Sequence, residues 1–176
     1  MKPLYIAVAA CSLCALPAFS QGNTCSAGDQ KFVDFAAQTD MTEAHLGQVA
    51  QDKAESQGVK DYAQMLNTDH TKDYGMLQAA AQKAGCTVPQ GLDAKHNTLI
   101  APLEKLKGKT FDTRFIHTMV TGHEQAIAEY KKEANDLQNA DLKTYAQTAL
   151  PVLQKHLDGA KDLAKPAAKG NTAATQ

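Results

Sequence analysis

The 176-residue chain has no tryptophan, and aromatic residues make up only 6% of it. Scarce rings and abundant alanine suit helices better than sheets, whose strands favour aromatic and β-branched side chains. Neither sign of charge predominates: 18 Lys and Arg against 19 Asp and Glu give a formal net charge of −1. The basic excess that nucleic acid or an anionic membrane surface would select is therefore missing. Past residue 20 no segment is apolar enough to span a bilayer, and no Cys-x-x-Cys occurs there. The chain also has no Gly-rich phosphate loop and no serine or cysteine nucleophile signature. The length suits one domain.

The first twenty residues, MKPLYIAVAACSLCALPAFS, stand apart. Lys2 opens them, an apolar run extends from Leu4 to Leu16, and Ala18-Phe19-Ser20 forms a small-x-small cleavage site. This is the pattern of a secretory signal peptide, 1–20, and the run is too short for a membrane-spanning helix. Val8-Ala9-Ala10-Cys11 also fits a lipoprotein cleavage box, but the apolar run continues past Cys11, which favours the signal peptide. Export to the periplasm is the expectation, with residues 21–28 as an N-terminal extension.

The rest reads as four long amphipathic helices, 29–163, with apolar residues spaced by three and four. Ser26 is suited to cap the first, with Asp29 at the third helical position. Its stripe runs Phe32, Ala36, Thr39, Glu43, Leu46, Ala50, Ala54, and Gly58 suits a left-handed helix end. The second stripe is Val59, Ala63, Leu66, His70, Tyr74, Leu77, Ala81, stopped by Gly85. Residues 86–110, broken by Pro89, Gly91, Pro102 and Gly108, form a long connection with a short helix near 93–99. Thr110 is suited to cap the third long helix, whose stripe is Phe115 or Ile116, Met119, His123, Ile127, Tyr130, Ala134. The fourth has Leu142, Tyr145, Ala149, Val152, His156, Ala160, Leu163, with Pro151 expected to kink it. Two antiparallel hairpins joined by a long middle connection make an all-α, ferritin-like four-helix bundle. The small polar tail, 164–176, reads as disordered.

Each stripe is interrupted once, by Glu43, His70, His123 or His156. Counted from the hairpin turns at residues 57 and 139, the two interruptions within a hairpin differ in height by about one residue, or roughly 1.5 Å. The two hairpins differ from each other by about three residues, less than one turn. The counts therefore predict one cluster at mid-height in the core. Burying a carboxylate and three imidazoles is costly unless they satisfy one another. A single zinc, iron or manganese ion would do so. A hydrogen-bonded network of ionised Glu43 and a protonated histidine would do so as well.

A di-iron centre fits poorly, because such bundles use Glu-x-x-His pairs. The positions three before the clustered histidines are Asn67, Val120 and Leu153. Of the other polar residues, Asp69 and Glu124 flank cluster histidines and qualify as partners that orient a ring; an exposed helix face is the plainer expectation for each. His45 and His117 fall off the stripes, His96 lies in the connection, and Met119 suits the core. Asp112 lies roughly 16 Å along the helix from His123 and cannot share its site.

Cys11 and Cys14 leave with the signal peptide, so Cys25 and Cys86 remain in an oxidising compartment. Cys25 precedes the first helix and Cys86 follows the second, which puts both at one end of an antiparallel hairpin. A disulfide between them is expected, closing a loop of about 60 residues worth on the order of 4 kcal/mol.

The segments FVDFAAQTDMTEAHLGQVA, VKDYAQMLNTDHTKDYGML, FDTRFIHTMVTGHEQAI and LKTYAQTALPVLQKHLDGA resemble a bacterial family of exported ferritin-like proteins, domain-of-unknown-function family 4142. The pairs Asp69-His70, Phe111-Asp112 and His123-Glu124, and Leu150-Pro151 followed by His156, carry the likeness. It covers about residues 31–163 and implies the helical bundle and export, but no reaction. Members often bear an outer-membrane label; no alternating strands for a barrel support it here.

Three functions are compatible with these residues. The first is binding of one metal ion for envelope metal handling or stress tolerance. The second is a structural or partner-binding module with a metal-free polar core, as monomer or homodimer. The third is a redox enzyme acting on superoxide or peroxide. Nothing in the sequence demands catalysis.

Overall fold

The computed structural model describes residues 24–166. The expected signal peptide, the lipoprotein box and most of the expected tail fall outside the described residues. Among the described residues all regular structure is helical: α1 Ala27–Lys53, α2 Gln57–Ala84, α3 Ala94–Glu104, α4 Gly108–Asp136 and α5 Ala140–Ala164. None of these helices is long and apolar enough to cross a membrane.

Local chemistry sets most of the boundaries. The side chains of Ser26, Ser56, Asp93 and Asn139 accept from the first free N–H groups of α1, α2, α3 and α5, each cap contributing about 1 kcal/mol. Gly85, at φ 72°, ends α2 in the left-handed conformation, and the Cys86 N–H returns to the Ala81 carbonyl at 2.9 Å. Gly58 does not end the first helix as the sequence suggested. With Ser56 as the next cap, α1 stops at Lys53 and Gly58 lies in the first turn of α2. Thr110 is likewise no cap; it lies inside α4. The start of α4 and the α1–α2 turn cap each other instead. Glu55 accepts from the Lys109 N–H at 3.2 Å, and Asp112 accepts from the Glu55 and Ser56 N–H groups at 3.0 and 2.9 Å.

That reciprocal cap also fixes the connectivity. The chain leaves α2 at one end of the bundle, crosses its length through 86–107, and starts α4 beside the α1–α2 turn. At the other end the Gln138 N–H donates to Asp29 at 2.9 Å, joining the α4–α5 turn to the start of α1. Cys25 and Cys86 form the expected disulfide there, with Cα atoms 4.9 Å apart. The principal seams are α1–α2, α4–α5 and α2–α5, with α1 meeting α4 more thinly and α3 resting on α1 and α4. Gly47 permits the closest approach of α1 to α2, since a Cβ there would stand 2.6 Å from the Ala63 carbonyl oxygen.

The apolar core is divided. One lobe gathers Phe32, Leu77, Tyr130, Leu142 and Tyr145. The other gathers Leu46, Leu66, Phe111, Phe115 and Met119. On each long helix the residues between the two lobes include a buried polar one: Asp40 and Glu43, His70, His123, His156. Helix α5 departs from its expected stripe, because Leu153 and Leu157 turn inward while Val152 and Leu163 are exposed. Pro151 lies on the exposed face and the helix runs on through it.

Candidate functional site

The polar layer between the lobes draws one or two residues from each long helix. The rings of His70, His123 and His156 have centroids 5.1 to 5.8 Å apart. One nitrogen from each lies within 4.8 Å of the other two. Glu43 Oε2 sits 3.0 Å from His70 Nε2 and 3.1 Å from His123 Nε2. All four residues are buried; the three histidines form one group, and Glu43 stands against two of them.

The outward nitrogen of each ring is engaged. His123 Nδ1 lies 2.9 Å from the Met119 carbonyl, His70 Nδ1 lies 2.8 Å from Asp40 Oδ1, and His156 Nε2 lies 2.9 Å from Asp69 Oδ2. A carbonyl or ionised carboxylate only accepts, so the outward nitrogen of each neutral ring carries the proton. The inward nitrogen is then a lone pair. His70 Nε2, His123 Nε2, His156 Nδ1 and Glu43 Oε2 are all buried without a hydrogen bond. Acceptors of this kind at 3.0–3.1 Å repel unless a proton or a metal ion lies between them. A buried three-histidine cluster with this orientation can hold a metal ion.

Without an ion, protons must take up part of the strain. Burial alone would push the His70 imidazolium down, but the Glu43 charge and the bonds to Asp40 and Glu43 prevail and lift it to about 10. Burial would raise the Glu43 carboxyl, yet His123 and His70 hold it below its ordinary range. His156 is pushed down to about 4 by burial, reinforced by the charges of His70 and His123. Asp40 is raised to about 7 by burial, against the pull of His70.

Asp40 was not anticipated. It is 1% exposed and lies three residues before Glu43, hence on the same helix face; reading the α1 stripe through Thr39 hid it. Asp73, one turn after His70, was missed in the same way. It accepts from the Tyr145 hydroxyl at 2.6 Å, and Tyr145 in turn faces the Tyr130 hydroxyl at 3.1 Å. Asp69 is not simply an exposed residue, because it reaches His156 while remaining partly in solvent. Glu124 does face outward and pairs with Lys161. His45 binds Glu104 on the surface, and His96 pairs with Asp93. Asp112 serves the helix caps at the far end of α4. Met119 fills the core as expected, and its carbonyl orients His123.

Among known families, the model described as Domain of unknown function (DUF4142) matches residues 14–163. No curated protein and no solved structure matches the chain.

Proposed function

The chain belongs to the DUF4142 family, and on that premise we propose that it binds a single divalent first-row transition metal ion through Glu43, His70, His123 and His156. One observation carries the reading: a nitrogen from each of three buried rings converges, with Glu43 Oε2 beside two of them, while the far nitrogen of every ring is held by a separate acceptor. Structural and catalytic metal sites use outer partners in this way to fix the tautomer and aim the lone pair. Three imidazoles and a carboxylate suit zinc, iron or manganese.

A second reading has its own observation. His70 lies between Asp40 and Glu43, so as an imidazolium it would satisfy a carboxylate at each nitrogen. A metal-free polar core is the outcome if that pairing is the whole purpose. It leaves the inward nitrogen of His156 with no donor, which is why we favour the metal.

Metal handling or stress tolerance in the periplasm is the setting we infer. The Cys25–Cys86 disulfide supports an oxidising compartment, where such bonds persist.

Elemental analysis of tag-free protein, offered zinc, iron, manganese and copper and then dialysed, tests the proposal. Stoichiometric metal that disappears in His70→Ala and His156→Ala supports it. Retention of none of the four by the wild type overturns it. If a redox metal binds, assays for superoxide and peroxide turnover separate an enzyme from a binding protein.

A further inference from the structure

The polar layer is not sealed equally on all sides. The His123 and His156 side chains are fully buried. Glu43 is different: Oε2 is buried among the imidazoles, while 6% of the side chain reaches water. That second oxygen faces Gly122 of α4, where a Cβ would stand 3.6 Å away. Gly122 is itself only half-buried. A backbone hydrogen is thus all that position 122 places between Glu43 and solvent. Gly122 and Glu43 face each other across the α1–α4 seam, which is thinner than the α2–α5 seam and on which α3 rests. The half-buried positions close in sequence, Met41 and Ala44 on α1 and Thr118 and Val120 on α4, carry no charge to bar a cation.

We propose that Gly122 forms the access point for a hydrated divalent cation, which passes between α1 and α4, meets Glu43 Oε1 first, and is drawn inward by the carboxylate to the three imidazoles. Position 122 then controls how fast the ion enters and leaves, and has no part in how tightly it is held. This inference rests on the metal-binding reading.

Cobalt(II) is the probe, because its absorption reports coordination. Metal-free full-length protein is mixed with cobalt(II) by stopped flow, and release into a chelator is followed separately. Gly122→Val is expected to slow uptake and release alike, on the order of tenfold, a barrier effect with equilibrium affinity unchanged. Gly122→Ala should slow both by less, and its methyl meets Glu43 at an ordinary contact distance, so it folds even if the valine variant does not. Val152→Phe, on the exposed face of α5, should change neither rate. Wild-type rates in Gly122→Ala and Gly122→Val, or slowing by Val152→Phe as well, overturn the inference and leave the metal site standing. Absence of any cobalt binding by the wild type overturns the metal reading, and the inference with it.

Discussion

His156 Nε2 lies 2.9 Å from Asp69 Oδ2, and this one bond decides which nitrogen of the ring faces the interior. With the proton held at Nε2, Nδ1 is the lone pair offered to the other two histidines. Asp69 is partly in solvent, so its replacement leaves the core packing intact. Asp69→Asn is expected to weaken metal affinity by roughly 10- to 100-fold with little change in thermal stability of the metal-free protein. Chelator competition and thermal unfolding measured on one preparation check both halves.

In the metal-free protein His156 should favour unfolding in mild acid, against Asp40, whose carboxyl, raised to about 7, favours the folded chain over the same range. In the folded chain His156 is pushed down to about 4, from an ordinary 6.5. Below pH 6.5 the unfolded chain therefore binds a proton that the folded chain refuses, and unfolding gains ground until the pH passes about 4. Glu43, held below its ordinary range, adds to the loss at the acid end. His70 behaves oppositely: its imidazolium, lifted to about 10, contributes fully below pH 6.5 and fades only as the pH rises toward 10. Urea unfolding of metal-free wild type and His156→Gln between pH 7 and 4 tests this. The wild type should lose ground relative to the variant as the pH falls; parallel curves would exclude His156 as the cause.

Reducing the Cys25–Cys86 bond should cost on the order of 4 kcal/mol, since it closes a loop with a sequence separation of 61. Unreduced, cleaved protein should give no reaction with a thiol reagent until it is unfolded in reductant. The Cys25→Ser, Cys86→Ser double variant should melt at the temperature of the reduced wild type.

Asp112 offers a control for effects that are merely structural. It accepts two backbone N–H groups where α1 turns into α2. Asp112→Ala should lower stability by about 1–2 kcal/mol while leaving metal stoichiometry unchanged. A loss of metal in this variant would mean that site and cap are coupled along the whole of α4.

The cluster could be read from sequence because helical rise is constant, so counting from the two turns places Glu43, His70, His123 and His156 at one height. The outer partners were harder. Asp40 and Asp73 lie one turn from a cluster residue on the same face, but polar side chains beside an apolar stripe are usually solvated. Asp40 is dry only where His70 of α2 packs against it, and Asp73 is half-buried where Tyr145 of α5 reaches it. Boundaries failed where capping came from far along the chain. Thr110 had the right chemistry for an N-cap, yet Glu55, distant in sequence, took that role. Gly58 had the right residue type for a helix end but lay beyond an earlier stop. Val152 reads as inward in the sequence because a spacing of three fits as well as four; Leu153 is the residue that packs.

The four donors divide two and two. Glu43 and His70 belong to the first hairpin, His123 and His156 to the second. Neither half alone carries a full set, so ion capture, as proposed, would act as a logical conjunction, true only when both hairpins have docked. Bound metal would then count closed molecules. A chain whose halves had formed but not met would pass a test for helicity and fail one for metal, and the difference between the two readings would measure the last step of assembly.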